Sequence, residues 1–430
     1  MPADPNQPDH HRLREAAATV VKTLRADGHE AYFAGGCVRD QIMSLTPSDY
    51  DVATDATPNV IRSLFSQARL VGEAFGVVMV CIDNCWIEVA TFRAESGYTD
   101  KRRPDTLRFT NAAEDAKRRD FTINGLFYDP LTDKVIDYVD GRTDIERQTI
   151  RAIGDPELRL GEDYLRMLRA VRFTARLDFT LDPATAGAIR KHAHDLTAIS
   201  KERIGLEVRF MLQHHNRAGA VSLLQSLTLD GPVLNESNIT HPTSLLESLP
   251  ADAAYPLTLT AWAIDRHASP TQHKTIDTFL QALDRMKPAK LVRRWRDALV
   301  LSNEDRDTLL ATFRALPILL DWPNLSIAKR KRLMAEDHWR HLYIIMNSLA
   351  TLLPELTIDI DWFNTQVSQL REEGVDPEPL LNGDHLIAAG LQPGPLFREV
   401  IDAVYDAQLE GRITTHQHAL DMAMNEAASR

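Results

Sequence analysis

Cysteine is scarce in this chain: Cys37, Cys81 and Cys85 are the three present among 430 residues. An odd, sparse count with no Cys-x-x-Cys pair argues against a zinc site and for a reducing, cytoplasmic setting. No stretch approaches the roughly 18 uninterrupted apolar residues that a membrane-crossing helix requires. Met1 to Arg14 is polar, with no apolar segment behind a basic start, so a secretory signal is not expected. Short-period repeats and low-complexity tracts are also lacking. Positive charge is in deficit, the formal balance being −12. Taken as a sum, that balance argues against a nucleic-acid partner.

What is present is a globular composition, 44% hydrophobic and 26% charged. A chain of this length is too long for one core and is expected to divide into about two to four domains. Its charge is unevenly spread. Residues 101–209 hold 21 Lys/Arg against 19 Asp/Glu, a local +2 that leaves −14 elsewhere. The basic residues also cluster, as Lys101-Arg102-Arg103, Lys117-Arg118-Arg119 and the row Arg166, Arg169, Arg172, Arg176. Any one cluster alone reads as solvated surface; together they describe an acidic protein with one basic groove, suited to RNA bound locally.

The most informative stretch is 35–54. Ala31 to Ala34 reads as a strand, Gly35-Gly36 follows, and Val38 to Leu45 reads as a short helix. Glycines at a helix N-terminus let backbone approach a phosphate closely. Asp49 and Asp51 come next. Strand alternation points both carboxylates one way and Tyr50 the other. Paired carboxylates suit Mg²⁺, which takes a few protein oxygens and completes its shell with substrate phosphates. A lone Gly-Gly is usually a turn, and a lone Asp-x-Asp usually a solvated one. Their order implies convergence on one triphosphate, with Arg39 and the Gly36 amide on phosphate oxygens.

Around this stretch the pattern is α+β. Residues 12–27 have helical periodicity, Thr57-Pro58 opens a helix with Thr57 as its N-cap, and 68–71, 77–82 and 85–92 read as strands. Glu88 lies in the last of these between Ile87 and Val89. It is either a third carboxylate near Asp49 and Asp51 or an edge-strand acid facing water. Glu95 to Asp105 reads as a polar, mobile loop. In Arg119-Asp120-Phe121-Thr122-Ile123-Asn124, Arg119 can clamp a triphosphate and Asn124 can bond a ribose hydroxyl. Asp120 completes this group of nucleotide-binding candidates. Asp140-Gly141-Arg142 marks a turn, and the run from Ile150 to Pro156 closes the first domain.

From Glu162 the pattern is helical. Asp163, Arg166, Arg169 and Arg172 recur every three residues on a helix read over 162–177, with Tyr164, Leu168, Val171 and Ala175 opposite as core. Ionised Asp accepts hydrogen bonds and Arg donates them. Side by side they match an exocyclic amine next to an acceptor ring nitrogen, the pairing edge of cytosine or adenine. The commoner use of such a pair is a salt bridge across one helical turn. Further helices are expected at 201–215, 217–227, 255–265, 275–285, 290–299, 306–315, 328–353 and 362–371, with breaks near 229–250 and 316–325.

The ordered set Gly-Gly-Cys-Val-Arg-Asp, Ser-Asp-Tyr-Asp-Val-Ala-Thr, Glu-Val-Ala-Thr-Phe-Arg, Arg-Arg-Asp-Phe-Thr-Ile-Asn, Glu-Asp-Tyr-Leu-Arg-Met-Leu-Arg-Ala-Val-Arg-Phe and Ser-Lys-Glu-Arg-Ile resembles the class II tRNA nucleotidyltransferase/poly(A) polymerase family, part of the DNA polymerase β-like superfamily. The resemblance is dense over about residues 30–210, returns over Asp384 to Ala423, and is missing from 230–380. It implies an α+β nucleotidyltransferase head with a mixed sheet, then an all-α neck, body and tail. The corresponding divisions are 1–27 (an N-terminal helix), 28–156, 157–228, 229–379 and 380–430. It implies addition of C, C and A to tRNA 3′ ends from CTP and ATP; a protein partner is not implied, and no membrane is expected from the lack of a long apolar run. Mapped by position, Gly36, Arg39, Arg119, Asp163, Arg166, Arg169 and Arg172 would bind nucleotide, beside Gly35, Asp120 and Asn124, while Asp49 and Asp51 would bind Mg²⁺. Gly125 stands where the family usually has Ala. His194-Asp195 has no metal-binding frame around it and reads as structural. Partial CC- or A-addition and poly(A) synthesis are the neighbouring activities. Residues 380–430 carry three Arg and seven Asp/Glu, unlike the basic tail of the poly(A) enzymes. A non-catalytic RNA-binding protein on this scaffold would be expected to lose one of the two Asp residues.

Overall fold

The computed structural model describes residues 10–71, 76–96, 106–353, 358–392 and 394–428. Two compact units emerge, one running to Ile239 and including Ala298–Val300, the other comprising Thr240–Asp297 and the chain from Leu301 onward.

The first unit opens with helix α1 (His10–Ala26), which buries Ala16, Ala17, Val20, Val21 and Leu24 at helical spacing. A seven-stranded sheet follows: β1 (Ala31–Ala34), β2 (Asp51–Thr54), β3 (Ala68–Leu70), β4 (Val77–Ile82), β5 (Cys85–Thr91), β8 (Leu126–Asp129) and β9 (Lys134–Asp137), in the order β3-β4-β5-β2-β1-β8-β9. Only β2 and β5 run parallel, so the sheet is mixed as expected. α1 packs against β1, β2, β4 and β5. Strand alternation then sorts the side chains. Phe33 is paired with Val52 and Val52 with Val89 on the face that α1 covers; Asp51 is paired with Glu88 on the opposite face. Tyr50 is buried on the α1 side, stacked on His10 and edge-on to Phe33.

Helices α2 (Gly36–Ile42), α3 (Pro58–Leu64), α4 (Ala112–Lys117) and α5 (Gly141–Glu146) connect the strands. α2 begins at Gly36, two residues earlier than the sequence suggests, because Gly35 turns the chain at φ 75°. Thr57 occupies the N-cap position of α3 in an extended conformation, yet its side chain makes no capping bond. Asp49 lies ahead of β2 rather than within it. The polar stretch beginning at Glu95 is not wholly loop: β6 (Arg93–Ser96) pairs with β7 (Thr106–Phe109), which places Glu95 opposite Leu107. The remainder of that expected loop, including Lys101-Arg102-Arg103, falls outside the described residues.

Helices then dominate, with α6 (Pro156–Glu162), α7 (Leu165–Leu177), α8 (Pro183–His192), α9 (Lys201–Leu212), α10 (Arg217–Ser226) and α11 (Asp230–Leu234) completing the first unit. The short strands β10 (Thr149–Ile150) and β11 (Thr180–Leu181) pair in parallel between them. The unit ends at Ile239, inside the break expected near 229–250, with α11 packed on the turn 193–198.

The second unit is all helix: α12 (Ser244–Ser248), α13 (Tyr255–Ala268), α14 (Ile276–Arg285), α15 (Pro288–Leu299, its last two residues belonging to the first unit), α16 (Asn303–Leu320), α17 (Ile327–Ala335), α18 (Trp339–Leu352), α19 (Ile360–Glu373), α20 (Gly383–Ala388), α21 (Pro395–Leu409) and α22 (His416–Ala428). α16 runs through Pro317, inside the break that the sequence predicts near 316–325. Burial of Leu316, Leu319 and Leu320 outweighs the one backbone bond that proline removes. The helix read as 328–353 is two. Glu336 turns extended at ψ 141°, and the exposed Glu336 and Asp337 contribute nothing to an apolar stripe that could carry the helix onward. Trp322, Trp339 and Phe363 form an aromatic core, with ring centroids 5.0–6.4 Å apart. The closing helices pack around Leu386, Val400, Val404 and Ala419.

Gly205 on α9 leaves no room for a side chain. A Cβ there would stand 2.0 Å from the Leu299 carbonyl oxygen and 2.8 Å from its carbon, backbone atoms with nowhere to go. Gly205→Ala is expected to destabilise the fold by about 1–3 kcal/mol, seen as a lower urea midpoint at an unchanged slope.

Candidate active site

A polar cavity of about 490 Å³ lies between the Gly35–Gly36 turn, the Asp49–Asp51 segment, the stretch 118–124 and helix α7. The apolar strand β1 delivers the chain to Gly35, whose amide bonds the Leu126 carbonyl at 3.1 Å. A Cβ on Gly35 would come within 2.9 Å of Arg119 Nη1, so the bare backbone leaves room for that guanidinium.

The cavity is lined with arginines, and their backs are held by carboxylates. Arg39 is buried; its Nε and Nη2 donate to Asp40 Oδ1 at 2.8 and 2.6 Å, and its Nη1 donates to Asn124 Oδ1 at 2.7 Å. Asn124 Nδ2 in turn donates to Asp120 Oδ1 at 3.0 Å. Arg119 and Arg118 both pair with the buried Asp115, at 3.1 and 2.7 Å. Burial alone would raise the Asp115 carboxyl, but Arg119 and Arg118 outweigh it and the pKa falls. Arg169 Nε donates to Asp120 Oδ2 at 2.8 Å, and Arg172 Nε donates to Glu207 Oε2 at 2.7 Å. The Phe173 ring separates these cations, with the guanidiniums of Arg39, Arg169 and Arg172 at 5.3, 5.2 and 4.5 Å from its centroid.

Asp163 and Arg166 do not share one helix. α6 stops at Glu162, Asp163 is extended, and its Oδ1 accepts from the Leu165 amide at 3.0 Å, starting α7 afresh. The two side chains do not pair with each other. Asp163 accepts from Arg203 Nη1 and Nη2 at 3.2 and 2.5 Å. Arg166 donates to Glu162 and to the carbonyl oxygens of Arg159 and Arg118. Both side chains still line the cavity.

At the β2 end, Asp49 and Asp51 line the cavity and Glu88 is paired with Asp51 across the parallel strands. Burial pushes the Asp51 carboxyl up, Glu88 and Asp49 push it further, and it reaches about 7 despite the pull of Arg119. Glu88 is raised as well, by burial first and then by Asp49. Crowded carboxylates with too little countercharge are what a divalent cation would relieve, so the donor set fits one. Among the described residues no group of three or more His, Cys, Asp or Glu is placed to grip a metal unaided.

Arg203 and Glu207 were not among the sequence candidates. Their signal was partly present: they are four residues apart on α9, one helical turn, and Arg203 lies inside the Ser-Lys-Glu-Arg-Ile stretch, with Glu207 just beyond it. Phe173, Asp40 and Asp115 were also missed, since an apolar ring and two ordinary acids announce nothing in sequence. At Gly125, a Cβ would meet Val139 Cγ2 at 2.7 Å and Ile153 Cδ1 at 3.2 Å, so here those side chains take the space of the usual alanine. Asp195 bonds His192 Nδ1 at 2.8 Å, a local contact far from any metal frame.

Residues 31–151 match the poly A polymerase head domain, and residues 178–236 match the probable RNA and SrmB-binding site of polymerase A. The CCA-adding enzyme of Limosilactobacillus fermentum is 32% identical over 416 residues, covering 96% of each chain. That of Lactiplantibacillus plantarum is 32% identical over 426 residues, covering 97% of each. Among solved structures, the Bacillus stearothermophilus CCA-adding enzyme in complex with CTP superposes with a TM-score of 0.77 at 26% identity, covering 97% of this chain and 98% of that one. The Thermotoga maritima CCA-adding enzyme complexed with tRNA shares the fold, with a TM-score of 0.65 at 17% identity over 98% of this chain and 97% of that one.

Asp120 yields a pH test. Burial would raise its carboxyl, but Arg169 and Asn124 hold it at about 2 against an ordinary 3.8. A depressed carboxylate stabilises the fold above its unfolded pKa and loses that contribution as pH falls through 3.8 toward 2. Asp120→Asn should therefore cost about 2 kcal/mol at pH 7, and the gap from wild type in urea melts should close between about pH 4 and 2.

Proposed function

The chain belongs to the CCA-adding enzyme/poly(A) polymerase family of nucleotidyltransferases, and from that premise we propose that it adds C, C and A to the 3′ end of tRNA, using CTP and ATP without a nucleic-acid template. The observation that carries the reading is the remaining hydrogen-bonding capacity at the Asp163 end of the cavity. Asp163 accepts bonds from Leu165 and twice from Arg203. A carboxylate has about four acceptor positions, so one is left for an exocyclic amine. Arg166 has its Nη1 on Arg159 and Glu162 and one bond from Nη2 to Arg118. Its Nε–H is left to donate to a ring nitrogen. Cytosine and adenine offer that amine–acceptor edge; guanine and uracil oppose it, at a cost of a few kcal/mol per buried mismatch.

The rest of the cavity takes the sugar and phosphates. Gly35 and Gly36 leave backbone open to the triphosphate, Arg119 sits beside them, and Arg169 and Arg172 flank the sugar-phosphate stretch. Asn124 acts as a strut between Arg39 and Asp120, so we assign it to positioning Arg39. Asp49 and Asp51 would hold Mg²⁺, which when bound neutralises charge developing on the transferred phosphoryl and lowers the pKa of the attacking hydroxyl. The three cysteines are unpaired, and a reducing cytoplasm is where we place the chain. Among the described residues no helix is long and apolar enough to cross a membrane.

Two tRNA substrates test the reading, one ending before the CCA and one ending in CC, each supplied with CTP, ATP or both. Completion of both ends to CCA is expected. A-addition to the CC-ended tRNA alone would reduce the activity to a partial one, and long A-tracts on any RNA would point to a poly(A) polymerase. Asp51→Asn should lower incorporation by at least about a thousandfold, the loss of several kcal/mol of charge stabilisation. Its binding of tRNA in a filter assay should stay near wild type.

A further inference from the structure

The sheet itself indicates where the acceptor strand must lie. Resting on the nucleotidyl-transfer reading above, the leaving pyrophosphate belongs on the Gly35–Gly36 side of Asp51, because α2 follows β1. Attacking and leaving oxygens are roughly in line in phosphoryl transfer. The 3′-hydroxyl therefore approaches from the other neighbour of β2, which is β5. One row of side chains crosses the face on that side. Asp51 is paired with Glu88, Glu88 with Met79, and Met79 with Arg69. Trp86 lies two residues before Glu88, on the same face by alternation and about 6.8 Å away along the strand.

Trp86 is 39% exposed, although it is the largest side-chain type and stands on a sheet. The Arg69 guanidinium lies 4.5 Å from its ring centroid. Exposed single apolar residues are ordinary in themselves. An indole with a stacked guanidinium, in line with the metal-site carboxylates and on the acceptor side, is the arrangement that holds unpaired bases: a π-face for stacking and a cation for the adjoining phosphate. We propose that Trp86 and Arg69 form the stacking platform for the unpaired 3′-terminal nucleotides of the RNA acceptor, holding the 3′-hydroxyl toward Asp49 and Asp51. Trp86 is then a positioning residue for the acceptor and has no part in nucleotide binding.

The test separates the two substrates. Trp86→Ala should raise KM for tRNA lacking CCA about tenfold, the scale of one lost base stack, and leave KM for CTP within about twofold. Trp86→Phe should recover most of the loss, and Arg69→Ala should show a smaller rise in the same parameter. Kd for the same tRNA, measured by filter binding without nucleotide, should rise in parallel and does not depend on turnover. A wild-type protein that binds tRNA but does not extend it would refute the CCA-adding reading, while the Kd values would still decide the platform. An unchanged tRNA Kd in both Trp86→Ala and Arg69→Ala would overturn the proposal. So would an equal rise in KM for tRNA and CTP, which would mark Trp86 as a support of the sheet.

Discussion

The site depends on one constraint: several guanidiniums must crowd a single cavity without driving it apart. Unscreened like charges at such spacings repel by several kcal/mol per pair in a partly buried setting. The chain meets this with an inner layer of acids. Asp40, Asp115, Asp120 and Glu207 are all buried, and each accepts from an arginine that lines the cavity. The depressed carboxyls of Asp115 and Asp120 record the same arrangement from the acid side. Removing one acid would leave a cation repelled by its neighbours, so the acids are as necessary to the cavity as the arginines that face it.

The same layer joins the sheet to the helices. Asp120 comes from the stretch after α4 and Arg169 from α7, and their bond crosses from the strand-bearing part of the unit to its helical part. Phe173 packs edge-on to Phe121 at 5.9 Å, adding an apolar contact at the same junction. These contacts explain why residues up to Ile239 form one compact unit, although the hydrophobic pattern changes character near 156. A cavity whose two walls come from different secondary-structure regimes keeps its width only if those walls are bonded to each other.

Much of this was legible in sequence, and the limits of legibility have physical causes. The strand–Gly-Gly–helix run and the Asp-x-Asp segment are local signals, fixed by backbone needs at Gly35 and by alternation around Tyr50. The every-third-residue row of α7 likewise announced its arginines. What sequence does not state is pairing at a distance. Asp163 and Arg166 looked like partners because they are three residues apart, whereas Asp163 bonds Arg203, forty residues on, and Arg166 bonds Glu162. The helix expected over 162–177 breaks because a carboxylate caps the next turn, a choice that depends on what else competes for that carboxylate. Pro317 shows the converse, a local breaker overruled by buried leucines around it.

The acidic total also acquires a meaning. At −12 the chain as a whole does not attract a polyanion over long range. Screening confines charge effects to about 10 Å at ordinary ionic strength. The arginines act within that distance of one another, and carboxylates behind them offset part of their charge. A phosphate entering the cavity therefore meets donors already aimed and held. Placing positive charge in one supported cavity, rather than spreading it, makes attraction conditional on presenting a phosphate where the metal-site carboxylates stand.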